Sequence, residues 1–259
     1  MELNNNTPIE TYICSKSYGV DVKRDDLLNG DDTTLPPWAK IEPIRRIMLD
    51  STTERPISCL SVRGSYSGWC LSRLGREYGY DIKVSFPNSK NFPKDELNKI
   101  ESYGAELIPI KPNMVSIVYN KHKSISKERG WNIFPYGFDT PIYHSYFEDR
   151  IKEVEQEYDN LIVSAGSGVS SVGLIKGFMG KNKSVHIITA STTRTIERIL
   201  NKYQISTENI FIHNTPYAFY DDVDIDTPFP CNSLWDKKAW WWIQNNRLKG
   251  KSLFWNLGG

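Results

Sequence analysis

Short apolar runs typical of β-strands alternate along the chain with stretches in which apolar residues recur at helical spacing. This alternation predicts a mostly parallel sheet with helices on both faces. The predicted strands are residues 18–23, 57–62, 81–86, 106–110, 160–165, 184–189 and 252–256. The predicted helices are residues 40–50, 67–78, 94–103, 145–158, 170–179, 193–203 and 236–245. The proline- and aromatic-rich residues 132–143 are predicted to form a domain boundary or an active-site loop.

Composition and charge narrow the function classes. The 259 residues carry 32 Lys+Arg and 31 Asp+Glu, a net charge of +1, which excludes a uniformly basic nucleic-acid binder. No apolar run approaches the roughly 18 residues of a membrane span, and the first residues lack the order of a signal peptide. We therefore expect a soluble cytoplasmic protein without a membrane partner. The four scattered cysteines indicate buried free thiols, and no metal site is predicted.

The most informative local motif is the glycine- and serine-rich segment 164–174. It follows the apolar residues 161–163 and leads into a predicted helix, so backbone N–H groups and a helix N-terminus converge on one point. That arrangement binds phosphate. The segment lacks both the Gly-Lys-Ser/Thr of a P-loop and the spacing of the dinucleotide fingerprint. A tight strand-to-helix turn with Ser170 as N-cap is the alternative that the same residues allow.

Seven further segments, which follow one another across almost the whole chain, resemble segments of a known protein family. They are Thr7-Pro8-Ile9-Glu10, Val22-Lys23-Arg24-Asp25-Asp26-Leu27, Trp38-Ala39-Lys40, Gly64-Ser65-Tyr66-Ser67-Gly68-Trp69, Asn132-Ile133-Phe134-Pro135-Tyr136-Gly137, Asp236-Lys237-Lys238-Ala239-Trp240 and Leu253-Phe254-Trp255-Asn256-Leu257-Gly258-Gly259. Together with the 164–174 motif they resemble the pyridoxal-phosphate enzymes of fold type II, the tryptophan-synthase-β-like group. Within that group the sequence is most similar to the 1-aminocyclopropane-1-carboxylate deaminase and D-cysteine desulfhydrase branch.

The resemblance implies pyridoxal 5′-phosphate as the cofactor and two interleaved three-layer α/β/α lobes with mostly parallel sheets. Residues 1–40 and 132–259 would form the larger, cofactor-binding lobe, and residues 41–131 the smaller one. Lys40 falls where this branch carries the lysine that holds the cofactor as a Schiff base and then moves a proton at the substrate. Lys23 is the alternative lysine. The cofactor phosphate would lie on the segment made of Gly166, Ser167, Gly168, Val169 and Ser170.

The substrate contacts follow from the same resemblance. Ser65 falls where a family serine faces the substrate and relays a proton, and capping the helix that follows is its alternative role. Ser65, Tyr66 and Ser67, at a helix start, are the candidates for holding the carboxylate of an amino acid. Tyr136 lies in the segment that resembles the family's Ile-Pro-x-Gly loop and is a further candidate for substrate contact.

The sequence departs from the family pattern at several positions. Tyr66 stands where the family has an asparagine that hydrogen-bonds the cofactor's ring oxygen, and its phenol, which can donate the same bond, is the predicted cofactor contact. Leu257 stands where a threonine hydroxyl is expected to meet the pyridine nitrogen, and Asn256, one position earlier, is the predicted substitute. Val169 replaces the second glycine of the phosphate loop. The chain is also shorter than these enzymes in the region before Asp236.

Three functions are compatible with these residues. The first is a pyridoxal-phosphate-dependent lyase or deaminase acting on a small amino acid. The second is a phage-type enzyme that uses the same cofactor to remodel, for example by decarboxylation, an amino-acid adduct on a modified thymine in DNA. The shortened region would admit a bulky substrate, and the basic clusters within 121–129 and 247–251 would meet phosphates. The third is an inactive relative that kept the fold as a binding module. The resemblance also implies a homodimer.

Overall fold

The computed structural model of the protein describes residues 7–14, 18–29, 35–36, 38–51, 53–180 and 183–257. Gly258 and Gly259 of the closing motif lie outside the described residues. The strands are β1 (Ile9–Ile13), β2 (Gly19–Arg24), β3 (Ile57–Leu60), β4 (Ile82–Pro87), β5 (Glu106–Ile110), β6 (Asn132–Ile133), β7 (Asn160–Ala165), β8 (Ser184–Thr189), β9 (Ile210–Asn214) and β10 (Ser252–Asn256). The helices are α1 (Trp38–Asp50), α2 (Ser67–Tyr78), α3 (Lys94–Ser102), α4 (Val115–Glu128), α5 (Pro141–Lys152), α6 (Val169–Phe178), α7 (Thr193–Lys202) and α8 (Asp236–Asn245).

The first of two compact units contains the described residues of Met1–Thr33, Pro37–Ala39 and Pro141–Gly259. Its six-stranded sheet has the order β1-β2-β10-β7-β8-β9, and each neighbouring pair except β1–β2 is parallel. All five residues of β10 are buried. A strand inside a parallel sheet is covered on both faces, which explains the continuous apolar run of this strand. Phe254 of β10 packs against Phe229 and Trp240 in the core of this unit.

The second unit contains the described residues of Thr34–Pro36 and Lys40–Thr140. Its four strands have the order β5-β4-β3-β6 and are all parallel. The sequence had assigned residues 132–140 to the larger lobe. Here Asn132 N–H donates to Pro56 O and Phe134 N–H donates to Ser58 O, each at 2.8 Å, so this segment extends the four-stranded sheet. The boundary therefore falls at residue 141 rather than at residue 132.

The predicted fold class, α/β with mostly parallel sheets, is confirmed. Strands β5, β7, β8 and β10 and helices α2 and α8 have the predicted bounds. Three strands, β1, β6 and β9, and one helix, α4, are absent from the predictions. Helix α5 begins at Pro141 and ends at Lys152, several residues before the predicted range at both ends. Proline has a fixed φ that suits the first turn of a helix, where its missing N–H costs no hydrogen bond, and this early start was overlooked.

Helix α4 was missed because two polar side chains lie on its buried face. Val118, His122 and Ser126 follow one another at a spacing of four residues and are all buried. His122 Nδ1 lies 2.9 Å from Ser85 Oγ, and the Ser126 and Ser58 hydroxyls are 3.0 Å apart. These contacts satisfy the serine hydroxyls and Nδ1 of His122, whereas Nε2 of His122 is buried without a hydrogen-bond partner among the described residues. A search for apolar residues at helical spacing therefore finds too few of them in this segment.

Two buried histidines have lowered pKa values, and we therefore predict that the protein loses stability in mild acid. Burial lowers the pKa of His122 to about 4, and burial together with the neighbouring His213 lowers the pKa of His186 to about 4. A histidine whose folded-state pKa lies below its unfolded value of about 6.5 binds more protons when unfolded, so its contribution to stability falls as the pH drops below that value. We expect each histidine to lower the free energy of unfolding by about 2 kcal/mol between pH 7.5 and pH 5.

Urea unfolding at the two pH values measures this loss. The double variant His122→Gln, His186→Gln removes both titrating groups, so its free energy of unfolding should differ less between pH 7.5 and pH 5 than that of the parent protein. An equal pH dependence in parent and variant would show that other groups cause the loss.

Candidate functional site

The amine predicted to hold the cofactor lies close to the start of α1. The Lys40 side chain is half-buried, and its Nζ donates a hydrogen bond of 2.8 Å to the carbonyl oxygen of Ser65. Ser65 belongs to the turn of residues 61–66 that joins β3 to α2, which we call the 61–66 turn. This bond brings together, within one unit, two of the residues that the sequence selected. It also directs the amine toward the turn rather than toward solvent.

The Ser65 hydroxyl contacts the backbone on both sides of the turn. Its Oγ accepts the N–H of Val62 at 3.2 Å and the N–H of Ser67 at 3.4 Å. Ser67 is the first residue of α2, so this hydroxyl meets an N–H group at the helix start, but the N-cap position belongs to Tyr66. The substrate-facing role of Ser65 stays a prediction. The N–H groups of Ser65 and Gly68 are also engaged, with Val62 O and Ser61 Oγ. Three N–H groups around this helix start thus already have partners inside the chain.

The backbone of Tyr66 adopts a conformation that tyrosine rarely takes. Its φ of 54° places it in the left-handed region. Asparagine enters this region more readily than an aromatic residue, so the residue that the family carries here would suit the turn with less strain. The Tyr66 ring lies edge-on to Trp69, with centroids 5.9 Å apart. Strain of this kind persists where the surrounding structure holds it, and it is often found at functional sites.

A buried carboxylate that the sequence did not single out lies behind the 61–66 turn. Glu96 of α3 is 5% exposed, and its Oε1 accepts the Ser61 hydroxyl at 3.2 Å. Burial raises the pKa of Glu96 to about 7, although hydrogen bonds from Ser61 and the Gly64 N–H and the charges of Lys40 and Lys99 act in the opposite direction. The signal that could have found it is its position four residues after Phe92 and four before Ile100, both buried.

Tyr136, the predicted substrate contact, packs on the core of its own unit. It lies in a short 3-10 helix, Tyr136–Phe138, and contacts the cluster formed by Leu60, Val62, Ile110 and Val118. Its ring centroid is 5.8 Å from that of Tyr119. Burial raises the pKa of its hydroxyl to about 12, so the side chain is neutral at physiological pH. A substrate contact of Tyr136 stays a prediction.

The segment predicted to bind the cofactor phosphate lies in the other unit, between β7 and α6. Gly168 is the N-cap of α6 with φ 81°, and Val169 and Ser170 form the first turn of this ten-residue helix. The first N–H groups of a helix have no partner within it, so they point outward from this end. A Cβ on Gly168 would lie 2.9 Å from Ile199 Cγ2, so both conformation and space require glycine. Gly166, Ser167, Gly168, Val169 and Ser170, here called the 166–170 loop, thus lie at a helix N-terminus. Their binding of the cofactor phosphate stays a prediction.

Three side chains that the sequence did not assign to this site support the 166–170 loop. The Trp235 ring lies against Gly166, where a Cβ would come 3.1 Å from the ring. The Tyr143 hydroxyl lies 3.2 Å from Ser170 Oγ. Asp236 accepts a hydrogen bond from the buried hydroxyl of Ser164, just before the loop. These contacts hold the loop from its two sides and from the end of β7.

Leu257 lies where the resemblance predicts a threonine that contacts the pyridine nitrogen, and Asn256 precedes it. Leu257 is aliphatic and cannot hydrogen-bond a pyridine nitrogen. Asn256 is fully buried, and its Nδ2 donates to Asp26 Oδ1 at 2.9 Å and to Pro230 O at 2.8 Å. Both amide hydrogens of Asn256 therefore tie β10 to neighbouring segments. The cofactor contact proposed for Asn256 stays a prediction.

Lys23, the alternative lysine, occupies a different environment from Lys40. It is buried in β2, and its amine donates a hydrogen bond to the carbonyl oxygen of Thr7. Burial lowers its pKa, while the nearby Asp25 acts to raise it. Its amine is thus used to hold the N-terminal segment. Within the residues that the structure describes, no group of three or more His, Cys, Asp or Glu side chains is arranged to hold a metal ion, and no helix is long and apolar enough to cross a membrane.

Solved structures with the same architecture identify the fold. A structure of an ACC deaminase homologue superimposes with a TM-score of 0.73 at 14% identity, over 98% of this chain and 89% of that one. The chain has the fold of the fold type II pyridoxal-phosphate enzymes. O-ureido-L-serine synthase, at a TM-score of 0.69 and 13% identity, shares this fold over 97% of the present chain and 88% of its own. Threonine deaminase isoform 2 from Solanum lycopersicum shares it with a TM-score of 0.65 at 11% identity, over 97% of this chain and 83% of that one. The fold type II resemblance seen in the sequence is confirmed.

One curated protein matches the sequence of this fold type II chain from end to end. The glycyl-dTMP PLP-dependent decarboxylase of Pseudomonas phage M6 is 26% identical over an alignment of 281 positions, which covers 98% of this chain and 99% of the phage protein. No protein-family model matches the chain.

Proposed function

We propose that the protein is a pyridoxal-phosphate-dependent decarboxylase that acts on an amino-acid group carried by a thymine nucleotide. The observation that carries this proposal is the end-to-end match with the phage glycyl-dTMP decarboxylase. Almost no part of either chain lies outside the alignment, which supports the same domain organisation in the two proteins. This is the second of the functions compatible with the sequence, and the match with the phage protein supports it.

Each unit contains residues of the type that pyridoxal phosphate requires. In the second unit, Lys40 supplies an amine that is held against the 61–66 turn. In the first unit, the 166–170 loop supplies backbone N–H groups at a helix N-terminus, a geometry that favours a phosphate. Bound pyridoxal phosphate supplies the electron sink that accepts the electron pair of the bond broken at the substrate's α-carbon.

The chain's own residues would bind the substrate and move its protons. Decarboxylation breaks the bond between the carboxylate carbon and the α-carbon, releases CO₂ and requires one proton at the α-carbon. The Lys40 amine, in its ammonium form, is the proposed donor of that proton. Tight binding of the carboxylate would stabilise the ground state and oppose the loss of CO₂. The partners that the N–H groups of Ser65, Ser67 and Gly68 have inside the chain support weak binding of the carboxylate.

Borohydride reduction of the purified protein, followed by peptide mass mapping, tests the cofactor and its lysine. We expect the reduced cofactor on Lys40 and its complete loss in Lys40→Ala. Lys23→Ala should keep the label on Lys40, although it will lower stability because it removes the hydrogen bond to Thr7. Label on Lys23 or on another lysine, with none on Lys40, would overturn the assignment.

A substrate panel separates the two enzymatic functions. A glycyl-modified thymidine monophosphate, free or within a DNA oligonucleotide, should release CO₂, whereas serine, D-cysteine and 1-aminocyclopropane-1-carboxylate should give neither ammonia nor a keto acid. The opposite result would favour the lyase or deaminase acting on a free small amino acid, which remains the second candidate because Ser65 matches a substrate-facing serine of that branch. Turnover of neither class, with cofactor bound, would favour the binding module.

The resemblance and the proposed reaction also carry two finer proposals. We propose a homodimer and a cytoplasmic location. Light scattering on the cofactor-loaded protein measures the mass of the assembly, and a value near one chain would rule out the dimer.

A further inference from the structure

The buried carboxylate of Glu96 has no role in the reaction as described so far. It lies on the inward face of α3, where Ile100, four residues later, is the other buried residue of the helix. An ionisable carboxyl group that is removed from water costs free energy unless it is compensated. Here the compensation comes from the Ser61 hydroxyl and the Gly64 N–H, both in the segment that carries Ser65. The carboxylate is therefore connected to the turn that holds Lys40.

Glu96 and Lys40 are hydrogen-bonded to opposite ends of the 61–66 turn. Ser61 Oγ donates to Glu96 and accepts the N–H of Gly68 in the first turn of α2, at 3.2 Å in each case. At the other end, the Ser65 carbonyl accepts the Lys40 amine at 2.8 Å. The turn therefore lies between the carboxylate and the amine and is bonded to both.

The charged and titratable groups around Glu96 come from three helices. Lys40 of α1 and Lys99 of α3 are the cations that act on Glu96. The Lys99 amine lies 3.9 Å from the centre of the Trp69 ring, which holds it to one side. Cys70 of α2 is buried, and burial raises the pKa of its thiol to about 12, so it stays neutral in the physiological range. Lys40 is thus the cation facing Glu96 that the proposed reaction uses.

We propose that Glu96 is a positioning residue whose own charge controls the charge of the Lys40 amine, while the 61–66 turn is hydrogen-bonded to both groups. An ionised Glu96 stabilises the ammonium form of Lys40, and a protonated Glu96 withdraws that stabilisation. The inference rests on the proposed function, in which the Lys40 amine holds the cofactor and donates the proton. Glu96 would control the charge of that amine. Because the pKa of Glu96 is raised to about 7, this control operates across neutral pH.

The test measures the reactivity of Lys40 without relying on catalysis. The full-length protein, freed of cofactor by treatment with an amine, is reacted with trinitrobenzenesulfonate, and modification of Lys40 is followed by peptide mass spectrometry. Only the unprotonated amine reacts. In Glu96→Gln the amine loses a nearby negative charge, so above pH 7.5 we expect Lys40 to react about three to ten times faster than in the parent protein. At pH 6, where Glu96 is protonated in the parent, the two rates should agree.

Controls separate charge from structure. Glu101→Gln changes an exposed residue of the same helix and should react like the parent protein at every pH. Ser61→Ala removes the hydroxyl that binds Glu96 but keeps the carboxylate, so it should keep the divergence from Glu96→Gln above pH 7. An equal rate in Glu96→Gln and parent at all pH values, or a difference of the same size at pH 6 and pH 8, would overturn the proposal.

A measurement on the parent protein alone covers the case in which Glu96→Gln does not fold. The logarithm of the Lys40 reaction rate should rise with a slope of one per pH unit on either side of pH 7, with a shallower step between them where Glu96 ionises. A straight line through pH 7 would contradict the inference. Cofactor found on Lys40 together with such a line would reject the role of Glu96 alone, whereas the step without cofactor on Lys40 would reject only the proposed function.

Discussion

Replacing Gly168 with valine should abolish cofactor retention while leaving the protein folded. The substitution places a β-branched residue at φ 81° and a Cβ 2.9 Å from Ile199 Cγ2. The positive φ costs valine about 1–2 kcal/mol of backbone strain. Relieving both this strain and the contact with Ile199 requires the loop to move. Because phosphate binding depends on several N–H groups that point to one place, a shift of the loop should weaken cofactor binding at least about 100-fold, or about 2.7 kcal/mol. Dialysis against buffer, followed by measurement of the bound cofactor, checks this.

Gly104→Val is the matched control for this variant. Gly104 also has a positive φ, of 85°, but nothing lies within 4 Å of where its Cβ would be. The control therefore carries the same backbone strain without a collision and far along the chain from the 166–170 loop. It should lose only the roughly 1–2 kcal/mol that backbone strain costs and keep its cofactor. Retention by Gly168→Val equal to that of the parent would mean that the phosphate binds elsewhere.

The elements predicted from sequence are those in which every position gives the same signal. Strands β7, β8 and β10 are apolar runs bounded by polar or turn residues, and their ends were predicted to the residue. Strands β1 and β9 lie at the two edges of their sheet. An edge strand is covered by one neighbour only and tolerates polar and exposed residues, so its apolar signal is weak. Residues such as Phe211, exposed on β9, give no periodic pattern.

The sequence singled out two parts of the candidate site. Glycines and serines before a helix indicated the 166–170 loop, and the family resemblance indicated Lys40; the cofactor roles of both stay predictions. Glu96, Tyr143 and Trp235 reach their positions through packing between segments that are distant in sequence. A carboxylate at an inward position is the one local sign that Glu96 gives. The cofactor contact predicted for Asn256 rests on side-chain chemistry alone, and no signal in the sequence indicates that both amide hydrogens bond within the chain.

The largest effect on stability is expected from a buried ion pair in the first unit. Asp25 is fully buried, Arg150 of α5 is 3% exposed, and Arg150 Nη2 lies 2.6 Å from Asp25 Oδ1. Asp25 also accepts the Thr7 hydroxyl at 2.7 Å and the indole N–H of Trp255 at 2.8 Å. These contacts join the N-terminal segment, α5 and β10 at one carboxylate. Removing the cation alone leaves a buried charge without its partner.

Arg150→Met should therefore lower the free energy of unfolding by about 3–5 kcal/mol, measured by urea denaturation at pH 7.5. Lys152→Met removes an exposed ion pair with Glu148 from the same helix and should cost no more than about 0.5 kcal/mol. In the double variant Asp25→Asn, Arg150→Met the carboxylate charge is gone as well, so the loss should be smaller than the sum of the two single losses by about 1–3 kcal/mol. Additive losses would show that Asp25 and Arg150 contribute through packing alone, because two groups that act through each other's charge cannot be removed independently.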